Sequence, residues 1–216
     1  MNPSPPPDVR ELQVARGLVR RLHLSRLLAR FPERPVLALF MFVNGFVSIA
    51  LLALLAMITR TPFVFPSLGP TAFLFFFAPT APPASPRNTL MGHAIGISCG
   101  YAALLLTGLS HAPPAMATGV DGHRVIAAAL SLAATGALMI LLKAPHPPAG
   151  ATTLIVSLGI VTRPTYLVLI EVAVLLLTAQ AFVINRLAGL DYPVWAARPP
   201  PPKAQSAHPV EFRRLP

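Results

Sequence analysis

The feature that most constrains this chain is the near absence of charge across its middle. Between Pro35 and Asn185 the 216-residue sequence holds only seven charged side chains, whereas about 25% of the residues of soluble domains are charged. Of the 17 Lys and Arg residues, seven precede residue 35 and five follow residue 185. Long uncharged stretches between basic ends are typical of an integral membrane protein. We therefore attribute most of the net charge of +10 to two cytoplasmic tails and expect no nucleic-acid partner.

Four apolar runs, uncharged apart from Glu171 in the last, are long enough to cross the bilayer as helices, since a helix rises 1.5 Å per residue and about 20 residues suffice. They cover residues 36–59, 89–109, 125–142 and 165–184. Two further apolar runs, 71–78 and 149–161, are too short to span and follow proline-rich breaks. The sequence predicts an all-α polytopic membrane helix bundle, with four transmembrane helices plus two short re-entrant or broken helices in two similar halves.

The two halves are related by an internal repeat. A shift of 79 residues places 66–72 over 145–151, and each half contains a long span, a break, a short helix and a long span. Because both tails are basic, both should lie on the cytoplasmic side of the cell membrane, and the number of crossings is even. Four full spans with two re-entrant segments is the arrangement we favour. A six-crossing inverted repeat satisfies the same rule.

Three regions follow from this pattern. Residues 1–35 form a basic cytoplasmic tail, in which residues 9–31 predict a helix that ends at Pro32 and Pro35. That helix is either amphipathic on the membrane surface or an ordinary solvated helix. Residues 36–185 form the transmembrane domain, and residues 186–216 form a Pro/Arg-rich cytoplasmic tail. Cys99 is the sole cysteine, which excludes an intramolecular disulfide.

The two breaks are the predicted functional site. A break at membrane depth is tolerated only where it is buried in protein or lines a watery cavity. A helix that begins there presents unsatisfied N–H groups and its positive dipole end to an anion. We expect a substrate site formed by Ser67, Gly69, Thr71, His146, Pro147, Pro148, Gly150, Thr152 and Thr153. In the alternative interpretation the hydroxyls only cap helices and His146 only bonds a carbonyl.

Four further polar residues are candidates for proton coupling or ion pairing. Glu171 is the only acid inside a span, where a carboxylate is costly and therefore a functional candidate. It carries a coupling proton or pairs with His93, Arg87 or Lys143. Arg87 and Asn88 lead into the second span and either cap it or attract anions. Beside His93, three glycines at intervals of four predict a face for close helix packing: Gly92, Gly96 and Gly100.

Enzyme motifs are absent from the sequence. No two histidines have zinc-ligand spacing on a helix, and there is neither a G-x-S-x-G elbow nor a phosphate-binding glycine loop. We therefore predict no catalytic residues, no metal and no cofactor.

Two motifs resemble the HPP family of integral membrane proteins. They are the signature at residues 146–152, His-Pro-Pro-Ala-Gly-Ala-Thr, and the stretches 67–72 and 85–93. This resemblance covers about residues 36–185 and implies four membrane spans and, since some plastid and cyanobacterial members are implicated in nitrite transport, a transporter.

The resulting hypothesis is a transporter of a small anion such as nitrite, embedded in the lipid bilayer, with its site at the two breaks. The alternatives are an anion channel-like pore and a structural or assembly protein without transport. The small size of one chain favours a homo-oligomer.

Overall fold

Eight α-helices are found in residues 23–197, the part of the chain that the computed structural model describes. They are α1 (Leu24–Arg30), α2 (Glu33–Thr59), α3 (Leu68–Phe77), α4 (Pro86–Leu106), α5 (Ala115–Thr118), α6 (Gly122–Leu141), α7 (Ala149–Ser157) and α8 (Pro164–Leu187). By length and composition α2, α4, α6 and α8 can each cross a membrane. The predicted all-α bundle of four long helices and two short ones is confirmed.

Local chemistry explains where the long helices begin and end. Pro86 and Pro164 occupy the first positions of α4 and α8, where a missing N–H has no cost. The carboxylate of Asp121 caps α6 by accepting the N–H of Arg124 at 2.8 Å. At the other end of α6, Lys143 is left-handed with φ 50°, and the next N–H donates back to the Met139 carbonyl at 2.9 Å.

The prolines near residue 35 act differently from our prediction. Helix α1 ends at Arg30, but Pro35 lies in the first turn of α2 instead of in a break. A proline is tolerated there because the first N–H groups of a helix have no intrahelical acceptor. Residues 9–22 of the predicted basic helix and residues 198–216 of the predicted tail lie outside the described residues.

Both described ends of the chain lie at one end of the bundle, which we call the tail end. The N–H of Leu24 donates to the Ala188 carbonyl at 2.9 Å, and the N–H of Arg87 donates to the Trp195 carbonyl at 3.0 Å. Buried Tyr192 donates its hydroxyl to Ala84 at 2.6 Å. Burial raises the pKa of this phenol well above its usual value, so it remains a donor.

The opposite end, which we call the loop end, gathers the connections after α4 and α7. The N–H of Ala115 donates to the Leu158 carbonyl at 2.9 Å. The guanidinium of Arg124 is buried and donates to the carbonyls of Pro113 and Ser157, at 2.6 and 3.2 Å. A side chain at the start of α6 therefore supplies donors to the end of α7.

The short helices start in the middle of the bundle and run in opposite directions. His146, just before α7, lies against Gly92, and Val156, near the end of α7, lies against Gly100. Helix α7 therefore runs parallel to α4 towards the loop end. Helix α3 runs towards the tail end, because its Phe75 carbonyl accepts from Asn185 in the last turn of α8 at 3.1 Å.

The chain therefore passes through the bundle six times. Residues 60–67 and 143–148 each lead from a helix end back to the middle, and α3 and α7 complete the passage. The second half follows the first with every direction reversed. Of the two topologies that the sequence left open, these contacts match the six-passage inverted repeat better than the arrangement we favoured.

The register of the repeat differs slightly from 79 residues. The starts of α3 and α7, Leu68 and Ala149, are 81 residues apart, whereas α4 and α8 start 78 apart. Aligning the short helices places Thr71 over Thr152. In the second half the short helix is one residue shorter and the connection to the next long helix is two residues shorter, which together account for the difference of three residues.

The outer surface of the bundle is apolar. On α2, Phe42 and Phe46 are 72% and 68% exposed, and similar side chains cover the outer faces of α6 and α8. Such a surface suits lipid tails instead of water. The interior is a cluster of buried side chains around Phe75, Val174 and Leu177, where α3, α4 and α8 meet.

Candidate functional site

The first turns of the two short helices meet at a buried polar cluster. Thr71 is the fourth residue of α3 and Thr152 is the fourth residue of α7. His93 of α4 and His146, which precedes α7, lie between them. We call these four residues the Thr–His cluster, and each is 0% exposed.

The cluster is a continuous chain of hydrogen-bonding atoms. His93 Nδ1 lies 2.7 Å from Thr152 Oγ1, and His93 Nε2 lies 2.9 Å from Thr71 Oγ1. Thr71 Oγ1 is also 3.2 Å from His146 Nε2, and His146 Nδ1 is 2.7 Å from the Pro83 carbonyl. The two imidazole rings are 5.0 Å apart between centroids.

Glycines on α4 permit this close arrangement. A Cβ on Gly92 would lie 2.5 Å from the Cβ of His146, and one on Gly96 would lie 2.8 Å from the Ala149 carbonyl. At Gly100 the corresponding distance to the Thr153 carbonyl is 2.8 Å. The predicted packing face therefore exists, and its partner is the second break together with α7.

The backbone N–H groups at the breaks do not match our prediction. The N–H groups of Leu68 and Gly69 donate to the carbonyls of Phe65 and Pro66, at 2.9 and 3.3 Å. At α7 the N–H groups of residues 149–151 donate to the carbonyls of residues 146–148. Tight turns satisfy these donors within each break. Side chains are therefore the groups with which this site can contact a ligand.

The other predicted site residues occupy different surroundings. Ser67 is fully buried, its carbonyl accepts from Thr71 at 3.3 Å, and its hydroxyl has no hydrogen-bond partner among the described residues. Thr153 donates to Ala149 and lies 3.0 Å from Thr135 Oγ1. Pro147 is exposed, Pro148 is half-buried, and Gly150 faces Leu132, whose side chain a Cβ at this position would meet at 3.3 Å.

Sequence reasoning missed three groups at the cluster. Thr89 Oγ1 lies 3.4 Å from His146 Nδ1, and Thr135 Oγ1 lies 3.0 Å from the hydroxyl of Thr153, the residue that follows Thr152 of the cluster. Both are buried hydroxyls in apolar spans, a signal that the sequence does contain. The carbonyl of Pro83 has no sequence signal, because any residue carries one.

Arg87 and Asn88 bind backbone carbonyls. The Arg87 guanidinium donates to Leu142 and Lys143 at 3.3 and 2.9 Å, and the Asn88 amide donates to Pro82 at 3.0 Å. Arg87 thus caps the end of α6 instead of its own helix. It can do so because the start of α4 and the end of α6 both lie at the tail end of the bundle.

Among the described residues, Glu171 makes no hydrogen bond to the Thr–His cluster. Its Oε2 is buried and has no hydrogen-bond partner within residues 23–197. None of the ion pairs predicted with His93, Arg87 or Lys143 is present among the described residues. An unpaired buried oxygen of this kind is costly and is more typical of function than of structure.

Two cavities open near these elements. A mostly apolar groove of about 370 Å³ between α6 and the second break reaches His146 and is lined also by Thr135, Met139 and Gly150. A more polar cavity of about 450 Å³ at the loop end is lined by Tyr101, His111, Thr162 and Arg163. Within residues 23–197 no three His, Cys, Asp or Glu side chains lie close enough to hold a metal ion.

Together the fold and the cluster define a polytopic membrane protein of two inverted halves whose short helices meet at a buried polar centre. The family model for the HPP transmembrane region matches residues 32–193. The chain belongs to the HPP family.

Two curated relatives are both described as transmembrane proteins of Dictyostelium discoideum. One is 32% identical over 163 residues, which is 71% of this chain and 49% of the relative. The other is 28% identical over 137 residues, which is 60% of this chain and 44% of the relative. The chain thus matches about half the length of these relatives or less. No solved structure matches the chain.

Proposed function

We propose that this HPP-family protein transports a small anion such as nitrite across the cell membrane, with both tails in the cytoplasm. The observation that carries the proposal is the meeting of two half-helices at the Thr–His cluster. In membrane transporters, broken helices at corresponding places of inverted repeats mark the substrate site. The cluster offers hydroxyl and imidazole N–H groups, and among the described residues no carboxylate is hydrogen-bonded to it.

Three further features support passage of a small, charged solute. The dipoles of α3 and α7 direct their positive ends at the cluster. The unbonded hydroxyl of Ser67 is a spare donor in the first break. The cluster is closed in this structure, since its atoms bond one another, so a substrate would enter by displacing these bonds. The groove that reaches His146 gives one route.

Nitrite uptake into proteoliposomes tests the proposal, with wild type, His146→Gln and His123→Gln compared at equal protein. His123 is an exposed residue of α6 and serves as the matched control. We expect saturable uptake that His146→Gln reduces at least tenfold and that His123→Gln leaves unchanged. Uptake that rises linearly with nitrite would favour the pore. The absence of flux for nitrite, nitrate and chloride alike would contradict transport and favour a structural role.

A further inference from the structure

We propose that the Thr–His cluster holds one exchangeable proton, on Nε2 of His146, and that this proton is the ion coupled to anion passage. The coupling rests on the transport function proposed above. The proton site itself rests on the direction of the hydrogen bonds within the cluster. That direction is fixed at one end by a group that can only accept.

The Pro83 carbonyl sets the direction of the chain. A carbonyl oxygen cannot donate, so at 2.7 Å the Nδ1 of His146 must carry the hydrogen. In the neutral ring Nε2 is then bare and accepts from the hydroxyl of Thr71 at 3.2 Å. With its hydrogen so used, Thr71 accepts from Nε2–H of His93 at 2.9 Å.

The same reasoning continues to the other short helix. Because Nε2 of His93 carries the hydrogen in the neutral ring, its Nδ1 is bare and accepts from the Thr152 hydroxyl at 2.7 Å. Every polar hydrogen in the row then has one acceptor. His93 is fixed in the Nε2–H tautomer and His146 in the Nδ1–H tautomer.

The hydroxyl of Thr71 allows this row to take up one proton without moving a side chain. The Ser67 carbonyl lies 3.3 Å from Thr71 Oγ1 and is a second acceptor for the same hydrogen. When a proton binds Nε2 of His146, the Thr71 hydroxyl rotates to Ser67, and its oxygen accepts from both rings. No bond is broken apart from the hydroxyl's own change of acceptor.

A second proton has no such arrangement. Protonating Nδ1 of His93 would require Thr152 to give up its hydrogen bond, and no second acceptor for the Thr152 hydroxyl occurs within hydrogen-bond distance among the described residues. The rings are also only 5.0 Å apart, so two positive charges would repel in a buried site. The two histidines can therefore take up one proton and no more. The resulting positive charge lies between the positive ends of α3 and α7, and a bound anion would neutralise it.

Within residues 23–197 no charged side chain from another element is hydrogen-bonded to the two histidines. On α4, Arg87 is bound to the carbonyls of Leu142 and Lys143, and Cys99 packs in an apolar cluster with Ile95 and Met139. On α6, Arg124 is bound to carbonyls at the loop end. Helices α3 and α7 carry no titratable side chain, and Glu171 of α8 has no hydrogen bond to either ring.

The first arm of the test is ¹⁵N nuclear magnetic resonance of histidine-labelled full-length protein in lipid nanodiscs. Single His→Gln variants assign the signals. At high pH we expect His93 protonated at Nε2 and His146 at Nδ1. On acidification one proton should appear at Nε2 of His146, while His93 keeps its tautomer. The opposite tautomers, or a proton on each ring, would overturn the proton site.

Thr71→Val isolates the hydroxyl, and Thr178→Val is its control, since Thr178 is buried in α8 and its hydroxyl donates to the Val174 carbonyl of the same helix. We expect Thr71→Val to abolish the tautomer preference of His93 and to shift proton uptake by His146 to lower pH, by at least one pH unit. Thr178→Val should change neither. Unchanged tautomers and unchanged uptake in Thr71→Val would contradict the role of the hydroxyl.

The second arm measures coupling, with a pH-sensitive dye and a nitrite electrode on the same proteoliposomes. We expect one proton to enter with each nitrite. Nitrite uptake without protons would overturn the coupling and leave the transport proposal intact. If no anion moves while the histidine signals behave as stated, the transport proposal and the coupling both fail, but the single-proton site stands.

Discussion

Gly92 lies against His146 so closely that a methyl group on Gly92 would come within 2.5 Å of the histidine Cβ. Contacts under 3.0 Å do not occur between real Cβ atoms, so one of the two backbones would have to move. The position of His146, and with it the Thr–His cluster, therefore depends on a missing side chain on the neighbouring helix.

Gly92→Ala should consequently lower both stability and function. Overpacking of this kind costs about 1–3 kcal/mol, and the shift would separate His146 from Thr71. Thermal unfolding in detergent, followed by circular dichroism, measures the first effect. Gly45→Ala on α2 is the control, because a Cβ there meets only the end of Met41 at 3.7 Å. Equal unfolding temperatures for the two variants would contradict the close packing.

Arg124→Met should destabilise the loop end. The buried guanidinium donates to Pro113 and Ser157, and loss of hydrogen bonds from a charged donor costs about 1.5–3 kcal/mol. The replacement leaves two carbonyls without these donors. Arg163→Met is the control, since Arg163 is exposed at the same end. The unfolding temperatures should fall for Arg124→Met only, and a similar fall in both would indicate a nonspecific charge effect.

The six-passage topology predicts that Thr118 and Ala196 face opposite sides of the membrane. Both are exposed, at the loop end and the tail end respectively. Each is changed to cysteine in a Cys99→Ala background and labelled with an impermeant maleimide in intact and in permeabilised cells. We expect one of the two positions to react in intact cells and the other only after permeabilisation. Reaction from the same side would support four crossings with re-entrant segments.

Glu171→Gln should raise the unfolding temperature, because the amide keeps the shape of the side chain but cannot ionise where one oxygen is buried and unpaired. Gln180 of α8 offers the reciprocal change, as its Oε1 is also buried without a partner among the described residues. Gln180→Glu should lower the unfolding temperature. A fall in stability for Glu171→Gln would reveal a hydrogen bond or ion pair that holds the carboxyl in place.

The long helices could be predicted from the sequence because an apolar run of about 20 residues indicates a membrane-spanning helix. The first predicted span starts at residue 36 and α2 at Glu33, and the last starts at residue 165 and α8 at Pro164. The breaks were also predictable, since proline is disfavoured in the interior of a helix. Pro35 was misread because the first turn of a helix tolerates proline, and composition alone does not locate that turn.

The contacts within the site were harder to predict. The sequence indicates that Thr71 and His146 each lie at a break, but not that Thr71 contacts both histidines, because their meeting depends on the directions of α3 and α7. The state of the backbone N–H groups depends on turn geometry. Arg87 was placed near the site, but its binding to the end of α6 requires two helix ends to share one side of the bundle.

The transport of an anion through the Thr–His cluster is tested most directly by nitrite uptake into proteoliposomes that hold Thr71→Val or Thr178→Val. Both changes remove one buried hydroxyl and preserve side-chain shape, but only Thr71 contacts the histidines. We predict saturable uptake in Thr178→Val that matches the wild type and a loss of at least tenfold in Thr71→Val. Equal uptake in the two variants would contradict a transport site at the cluster.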